Sequence, residues 1–278
     1  MDVDLRKYIL GDYIILNNID TWPISARRYL DEKKEIIHNY FNEDNRIELI
    51  KIQKVEGYEN SYFETNVFEK DFENIKKFFL KLFFVNDRKF IVFHATRLTN
   101  YELENIINNG LCISSVNFIN NKIKQLRYEN IITLNEEKDI IMSHSLNFGS
   151  KTRNARINKL YFNIGDLDIS FIDGDRMHDS SGLYDYFSLY GGEIIGDVIK
   201  KHETLNQKLK KVTKPYIIVC SVSNSIVYDS FCFNIDNIIK YYIFNERELK
   251  FSLYTESNND IDVLETCYVD ETSKIIVR

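Results

Sequence analysis

The first feature with the residue types for chemistry is an apolar run that leads into a histidine. The stretch FIVFHAT places His94, Ala95 and Thr96 directly after Phe93. An imidazole can donate to or accept from a sugar hydroxyl, and the Thr96 hydroxyl can hold the ring or take a second sugar oxygen. Because Ala95 is small, a flat ligand can approach its backbone N–H and C=O. For this pattern alone, the commoner explanation is a half-buried histidine at the end of a strand, with its hydrogen bonds made within the protein.

The second feature is a glutamate that follows two glycines in DYFSLYGGEII. Glycines leave the backbone bare beside Glu193, so a ligand can approach closely. Tyr186, Phe187 and Tyr190 supply flat faces nearby. A carboxylate among aromatic rings can hold a sugar 2′-hydroxyl and stabilise positive charge that develops at an anomeric carbon, as glycosidic chemistry requires. A surface glutamate after a turn is the alternative.

Together the two stretches resemble the ADP-ribosyltransferase superfold of the His-Tyr-Glu type, which includes diphtheria-toxin-like enzymes, poly(ADP-ribose) polymerases and RNA 2′-phosphotransferases. His94, Ala95 and Thr96 match its first motif, and a helix that closes in Gly-Leu follows them. Glu193, about a hundred residues downstream, matches its catalytic glutamate. The resemblance implies that NAD is the substrate, that the histidine contacts ribose, and that the next backbone position pairs with the nicotinamide amide.

The resemblance also implies an aromatic ring that stacks on nicotinamide. One candidate lies in RYENIITLNEE, one in LYFNI and a third beside the two glycines. RYENIITLNEE also contains Thr133, which is an alternative match to this middle motif although it is not aromatic. Arginines near the motifs are candidates for the pyrophosphate, because a guanidinium fork matches phosphate oxygens. The tyrosines are Tyr128, Tyr161 and Tyr190, and the arginines are Arg97, Arg153 and Arg156.

The expected activity is transfer of ADP-ribose from NAD to a protein or nucleic-acid acceptor, in a setting such as a bacterial toxin or a phage-defence effector. Three alternatives stay open. One is an NAD glycohydrolase, in which water is the acceptor. Another is a metal-dependent hydrolase or nuclease that uses the cluster in DGDRMHD, namely Asp173, Asp175, His178 and Asp179. The last is a non-enzymatic interaction module whose N-terminal helices bind a partner protein and whose His94 pocket is vestigial.

A lysine-rich segment follows Glu193 directly. As a helix it would have a solvated basic face, and beside a catalytic groove it would guide an acceptor that bears phosphate. Its lysines are Lys200, Lys201, Lys208, Lys210, Lys211 and Lys214.

The elements that position these residues change in character near residue 86. Two helical patterns precede it, with apolar residues at helical spacing from Leu30 to Phe41 and from Phe68 to Leu82. Short strand patterns follow, among them FIVFH, NIITL, KLYFNI, YIIVCSV and SIVYDSF, and a helix begins near Thr99 and ends at Gly110. We expect an α+β fold, with a helical N-terminal region (1–86) followed by a mixed, mainly antiparallel sheet (87–278) that the resemblance assigns to the ADP-ribosyltransferase type.

Composition limits the class of protein. The chain has 278 residues, of which 44% are hydrophobic, and its net charge of -6 argues against a general nucleic-acid binder while leaving room for a local basic groove. No run approaches the roughly 18 to 20 apolar residues of a membrane span, and the N-terminal residues lack a signal-peptide pattern. We therefore expect a cytoplasmic protein without membrane contact. The four scattered cysteines predict buried thiols rather than disulfides or a metal site.

Overall fold

The computed structural model describes residues 2–3, 5–9, 13–54, 65–146, 158–165, 167–172, 176–179, 190, 195, 199, 203–269 and 275–277. The helices are α1 (Arg6–Ile9), α2 (Ile24–Lys54), α3 (Glu69–Phe83), α4 (Asn100–Asn109), α5 (Val116–Tyr128), α6 (Leu134–Leu146), α7 (Glu203–Val212), α8 (Asn224–Phe233) and α9 (Ile235–Phe244). The strands are β1 (Asp2–Val3), β2 (Tyr13–Ile14), β3 (Lys89–Leu98), β4 (Leu160–Gly165), β5 (Leu167–Ile172), β6 (Arg176–Asp179), β7 (Lys214–Val222), β8 (Lys250–Thr255), β9 (Ile261–Tyr268) and β10 (Ile275–Val277).

A six-stranded sheet holds the His-Ala-Thr stretch near its centre. Its strand order is β8-β4-β3-β7-β9, and β2 pairs with β3 in parallel while the other neighbours run antiparallel. The pairing of β3 with β7 is continuous from Phe90 opposite Val222 to Leu98 opposite Lys214. A second, four-stranded sheet has the order β1-β10-β5-β6. The predicted α+β class with a mixed, mainly antiparallel sheet is confirmed.

The N-terminal helices cover one face of the six-stranded sheet. Trp22, Phe79 and Phe83 belong to the same buried cluster as Phe90 on β3 and Phe231 on α8. The Trp22 ring lies 5.2 Å from that of Phe83, centroid to centroid, and Phe83 lies 4.6 Å from Phe231. The predicted helical region therefore packs on a sheet that contains residues 90–94 as an inner strand. The core is continuous across residue 86.

Helix α4 begins and ends at the predicted residues. The Thr99 hydroxyl accepts a hydrogen bond from the backbone N–H of Glu102, and the Glu102 carboxylate accepts one from the N–H of Thr99 at 2.8 Å, which makes a capping box. Gly110 ends the helix with a φ of 79°, which a residue without a Cβ adopts readily.

Three local predictions were wrong. FIVFH does not end at His94, because β3 continues to Leu98 through its pairing with β7. NIITL is not a strand, since residues 130–133 form the turn between α5 and α6. SIVYDSF lies in helix α8, where Val227 and Phe231, four residues apart, are both buried.

Further expectations concern membranes, thiols and metals. Among the described helices, none is both long and apolar enough to cross a bilayer. All four cysteines are free; Cys220 and Cys267 are buried, whereas Cys112 and Cys232 are partly exposed. In the described part of the chain, no three His, Cys, Asp or Glu side chains gather as metal ligands would.

Candidate functional site: a cavity beside strand β3

A cavity of about 370 Å³ opens beside β3. Its walls come from β3, α4, α5 and β4, together with Tyr190, and they include His94, Thr96, Glu102, Lys122 and Tyr161. We call it the His94 cavity. A volume of this size falls in the range of small-molecule sites, roughly 300 to 1,000 Å³.

The cavity forms where two neighbouring strands separate. In the described residues, β3 and β4 pair only at Phe93 and Asn163. Beyond that pair, β4 stays bonded to β8 back to Leu160, and β3 stays bonded to β7. The His94 side chain bridges the gap, because its Nδ1 lies 2.9 Å from the backbone oxygen of Tyr161. The imidazole therefore takes a position between strands that have ceased to pair.

The bond to Tyr161 determines which nitrogen of His94 carries the proton. A carbonyl oxygen only accepts hydrogen bonds, so Nδ1 must be the donor. Burial lowers the pKa of His94, the hydrogen bond to Tyr161 opposes that shift, and the positive charge of Lys122 adds to it. The ring is therefore neutral near pH 7, and its Nε2 is left as an acceptor.

The next two residues present different groups to the cavity, because side chains alternate along a strand. The Ala95 methyl packs on the opposite face of the sheet, with Ile91, Phe93 and Ile217. Ala95 thus lines the cavity with backbone atoms rather than with its side chain. Thr96 lies on the same face as His94 and lines the cavity too. The structure brings together all three residues of the predicted motif.

A buried ionic cluster, which the sequence did not predict, forms another part of the wall. Glu102 Oε1 lies 2.9 Å from Lys122 Nζ and accepts a hydrogen bond of 2.6 Å from the Tyr190 hydroxyl. The Lys122 ammonium also lies 4.6 Å from the centroid of the Tyr190 ring. We call Glu102, Lys122 and Tyr190 the Glu102 cluster. The Thr-x-x-Glu pattern could have identified Glu102 as a cap, but no local pattern pairs it with Lys122 on α5.

The three candidate tyrosines do not share one location. Tyr161 and Tyr190 line the His94 cavity. Tyr128 lies outside it: the residue is 65% exposed, and the Arg127 guanidinium lies 4.4 Å from its ring centroid. The buried face of α5 consists of Ile119, Ile123 and Leu126, at helical spacing, and Tyr128 falls off that face. Tyr128 was predicted as a site residue, and the structure corrects this by placing it outside the His94 cavity.

The prediction for Arg97 is also corrected, because its guanidinium is hydrogen-bonded to groups in the protein interior. The side chain is buried, and its Nε donates to the Thr213 hydroxyl at 2.8 Å. Its Nη2 lies 2.9 Å from the backbone oxygens of Lys210 and Thr213, at the end of α7. Arg97 thus joins β3 to the carboxyl end of α7, where a cation is favoured, and does not line the cavity.

Several candidates lie outside the described residues, namely Glu193, Arg153, Arg156, Asp173, Asp175, Lys200 and Lys201. His178 and Asp179 belong to β6, whose backbone alone is described.

Comparisons of the sequence with protein-family models and curated proteins, and of the fold with solved structures, find no match. The case for a function therefore depends on the chemistry of the His94 cavity.

Proposed function

We propose that the chain is an NAD-dependent ADP-ribosyltransferase that binds the nicotinamide and ribose end of NAD in the His94 cavity. The observation that carries the proposal is the arrangement at the strand gap. A neutral imidazole, the Ala95 segment and the Thr96 hydroxyl line one cavity together with aromatic rings. These are the groups that a ribose and a flat carboxamide need.

Each group has a defined part in binding. His94 Nε2 accepts a hydrogen bond from a ribose hydroxyl, since Nδ1 already donates to Tyr161. The backbone at Ala95 supplies the donor and acceptor that match the carboxamide of nicotinamide. Thr96 takes a second sugar oxygen, and the ring of Tyr190 provides flat apolar surface.

The reaction breaks the bond between the anomeric carbon of ribose and the nicotinamide nitrogen. The electron pair leaves with nicotinamide, and positive charge develops at the anomeric carbon until the acceptor attacks there. We assign to Glu193 the carboxylate that holds the 2′-hydroxyl and stabilises this charge. Glu193 follows Tyr190 by three residues, and three residues span at most about 11 Å of chain. Tyr190 lines the cavity, so this spacing supports the assignment.

The acceptor is a macromolecule, and helix α7 supports a phosphate-bearing one. The apolar side of α7 is buried through Leu205 and Leu209. Lys210 and Lys211 are exposed at its carboxyl end, and Arg97 ties that end to the strand that carries His94. The exposed lysines of α7 give such an acceptor a local basic surface, although the net charge of the chain is -6.

The test is incubation with NAD that carries a label in its adenylate half, in the presence of candidate proteins and nucleic acids. Transfer predicts label bound covalently to a macromolecule and an equal amount of free nicotinamide. Label found only in free ADP-ribose would identify a glycohydrolase instead, and intact NAD would refute the proposal. His94→Ala should weaken both NAD binding and transfer, whereas Tyr128→Ala, outside the cavity, should change neither.

A further inference from the structure

The Glu102 cluster uses nearly all of the hydrogen-bonding capacity of one carboxylate. Oε1 takes the Tyr190 hydroxyl and the Lys122 ammonium, and Oε2 takes the backbone N–H of Thr99. A carboxylate has about four acceptor positions, so three are occupied by donors from three separate parts of the chain. The Glu102 side chain thus links the start of α4, the middle of α5 and Tyr190.

The cluster is largely shielded from solvent. The Glu102 side chain is 14% exposed, that of Lys122 is 12% exposed, and Tyr190 is 1% exposed. Separating opposite charges that are shielded in this way leaves each of them poorly compensated, so the partners are held together. Burial raises the pKa of Tyr190 well above its ordinary value, and the Glu102 carboxylate raises it further, so the phenol remains protonated and keeps donating.

We infer that Glu102 and Lys122 are positioning residues that hold the Tyr190 ring as a wall of the NAD site. Glu102 fixes the hydroxyl end of the ring at 2.6 Å, while Lys122 lies 4.6 Å from the ring centroid. Both side chains also line the cavity, and we assign their main effect on NAD to the position of the Tyr190 ring. This inference depends on the proposed function, since it names the residues that shape the same cavity for NAD.

Glu102→Gln is the informative substitution. All three partners of Glu102 are donors, whereas glutamine offers one oxygen and one NH₂ group. Glutamine can replace glutamate in a capping box, so its oxygen can keep the bond to Thr99. Its NH₂ group then faces the Lys122 ammonium, which repels it, and the Tyr190 hydroxyl, which must turn from donor to acceptor to bond with it. The helix cap survives, while the hydrogen bond from Tyr190 to a charged carboxylate is lost.

The chain supplies a matched control at the start of α6. Glu136 forms a capping box with Thr133 and an ion pair with Lys208 at 3.2 Å, and it does not line the His94 cavity. Glu136→Gln therefore makes the same chemical change at an equivalent helix start. Folding of each variant is checked by thermal unfolding, and NAD binding is measured by calorimetry below the unfolding range.

We expect Glu102→Gln to raise the Kd for NAD roughly tenfold, the size expected for a lost hydrogen bond to a charged group. Glu136→Gln should leave the Kd unchanged. Tyr190→Phe removes only the hydroxyl and should also raise the Kd. Because Glu102 acts through that hydroxyl, adding Glu102→Gln to Tyr190→Phe should change the Kd by less than about twofold.

Three outcomes would overturn the inference. An unchanged Kd for NAD in Glu102→Gln would show that the cluster does not shape the site. Effects of the two substitutions that multiply would show that Glu102 acts independently of Tyr190. A parent protein that does not bind NAD refutes the proposed function and this inference together, and that result is visible before any variant is made.

Discussion

Replacing His94 by asparagine should remove a dependence of stability on pH that arises from one imidazole in the cavity wall. The amide nitrogen of asparagine can occupy the place of Nδ1 and donate to the Tyr161 oxygen, which lies 2.9 Å from Nδ1 in the parent protein. Asparagine does not titrate. Burial lowers the pKa of His94 below its ordinary value of 6.5, so the folded protein resists protonation that the unfolded chain accepts.

The sign and size of the effect follow from proton linkage. The stability contributed by neutral His94 is fully present above the unfolded pKa and is lost as pH falls below it. The loss approaches about 1.4 kcal/mol for each pH unit until the lowered folded-state pKa is reached. Lowering the pH from about 7.5 to about 5.5 should therefore cost the parent protein up to about 1.4 kcal/mol more than His94→Asn.

Urea unfolding of both proteins across this pH range measures the difference directly. Contributions from all other titrating groups cancel, because the two chains differ at one position only. The difference in unfolding free energy between parent and variant should shrink or reverse as the pH falls. Parallel curves would mean that His94 titrates equally in folded and unfolded chains, which would refute the neutral imidazole.

Three further outcomes are expected. Glu193→Gln should lower the rate of nicotinamide release by roughly a hundredfold or more while leaving the Kd for NAD nearly unchanged, and equal activity would refute its assigned role. Gly165→Ala should lower the unfolding free energy by about 2 kcal/mol or more, because φ is 90° and a Cβ would lie 1.8 Å from the Leu249 oxygen. Gly110→Ala is the control: its φ is also positive, but an added Cβ would have no atom within 4 Å, so the substitution should cost less. Changing Lys208, Lys210 and Lys211 of α7 to glutamate should weaken binding of a nucleic-acid acceptor and flatten the salt dependence of that binding. The affinity for NAD should stay the same, and an equal loss of acceptor binding and NAD binding would indicate misfolding.

Local patterns predicted the elements that their own residues stabilise. The capping box and Gly110 delimit α4 within a few residues of sequence, and the apolar run before His94 marks a strand. The continuation of β3 to Leu98 was not predictable in this way. It depends on pairing with β7 and on burial of Arg97 by bonds to Thr213 and the end of α7, and these partners lie more than a hundred residues away.

Helix α8 illustrates the ambiguity of short apolar runs. SIVYDSF has the β-branched and aromatic residues of a strand, and its length suits either element. Burial decides in favour of the helix, because Val227 and Phe231 are four residues apart and both lie in the main core. That core includes Phe83 and Phe90, so the choice between strand and helix was made by tertiary packing rather than by the seven residues themselves.

Part of the candidate site could be predicted from local sequence, and part could not. His94, Ala95 and Thr96 are contiguous, so their chemistry could be predicted from one stretch. The Glu102 cluster joins residues 88 positions apart in sequence, between Glu102 and Tyr190, and no spacing rule connects them. Tyr128 was a candidate because of its type and place in the chain, and its position on the exposed side of α5 became evident only from the packing of that helix.

The central claim is that the His94 cavity binds NAD for cleavage of its nicotinamide–ribose bond. The rate of nicotinamide release from NAD, measured for the parent protein, His94→Ala and Tyr128→Ala, tests it most directly. The account predicts release by the parent protein, a much slower rate for His94→Ala, and an unchanged rate for Tyr128→Ala, because Tyr128 is 65% exposed and lies outside the cavity. Absence of release from the parent protein, or equal rates for the parent protein and His94→Ala, would contradict it.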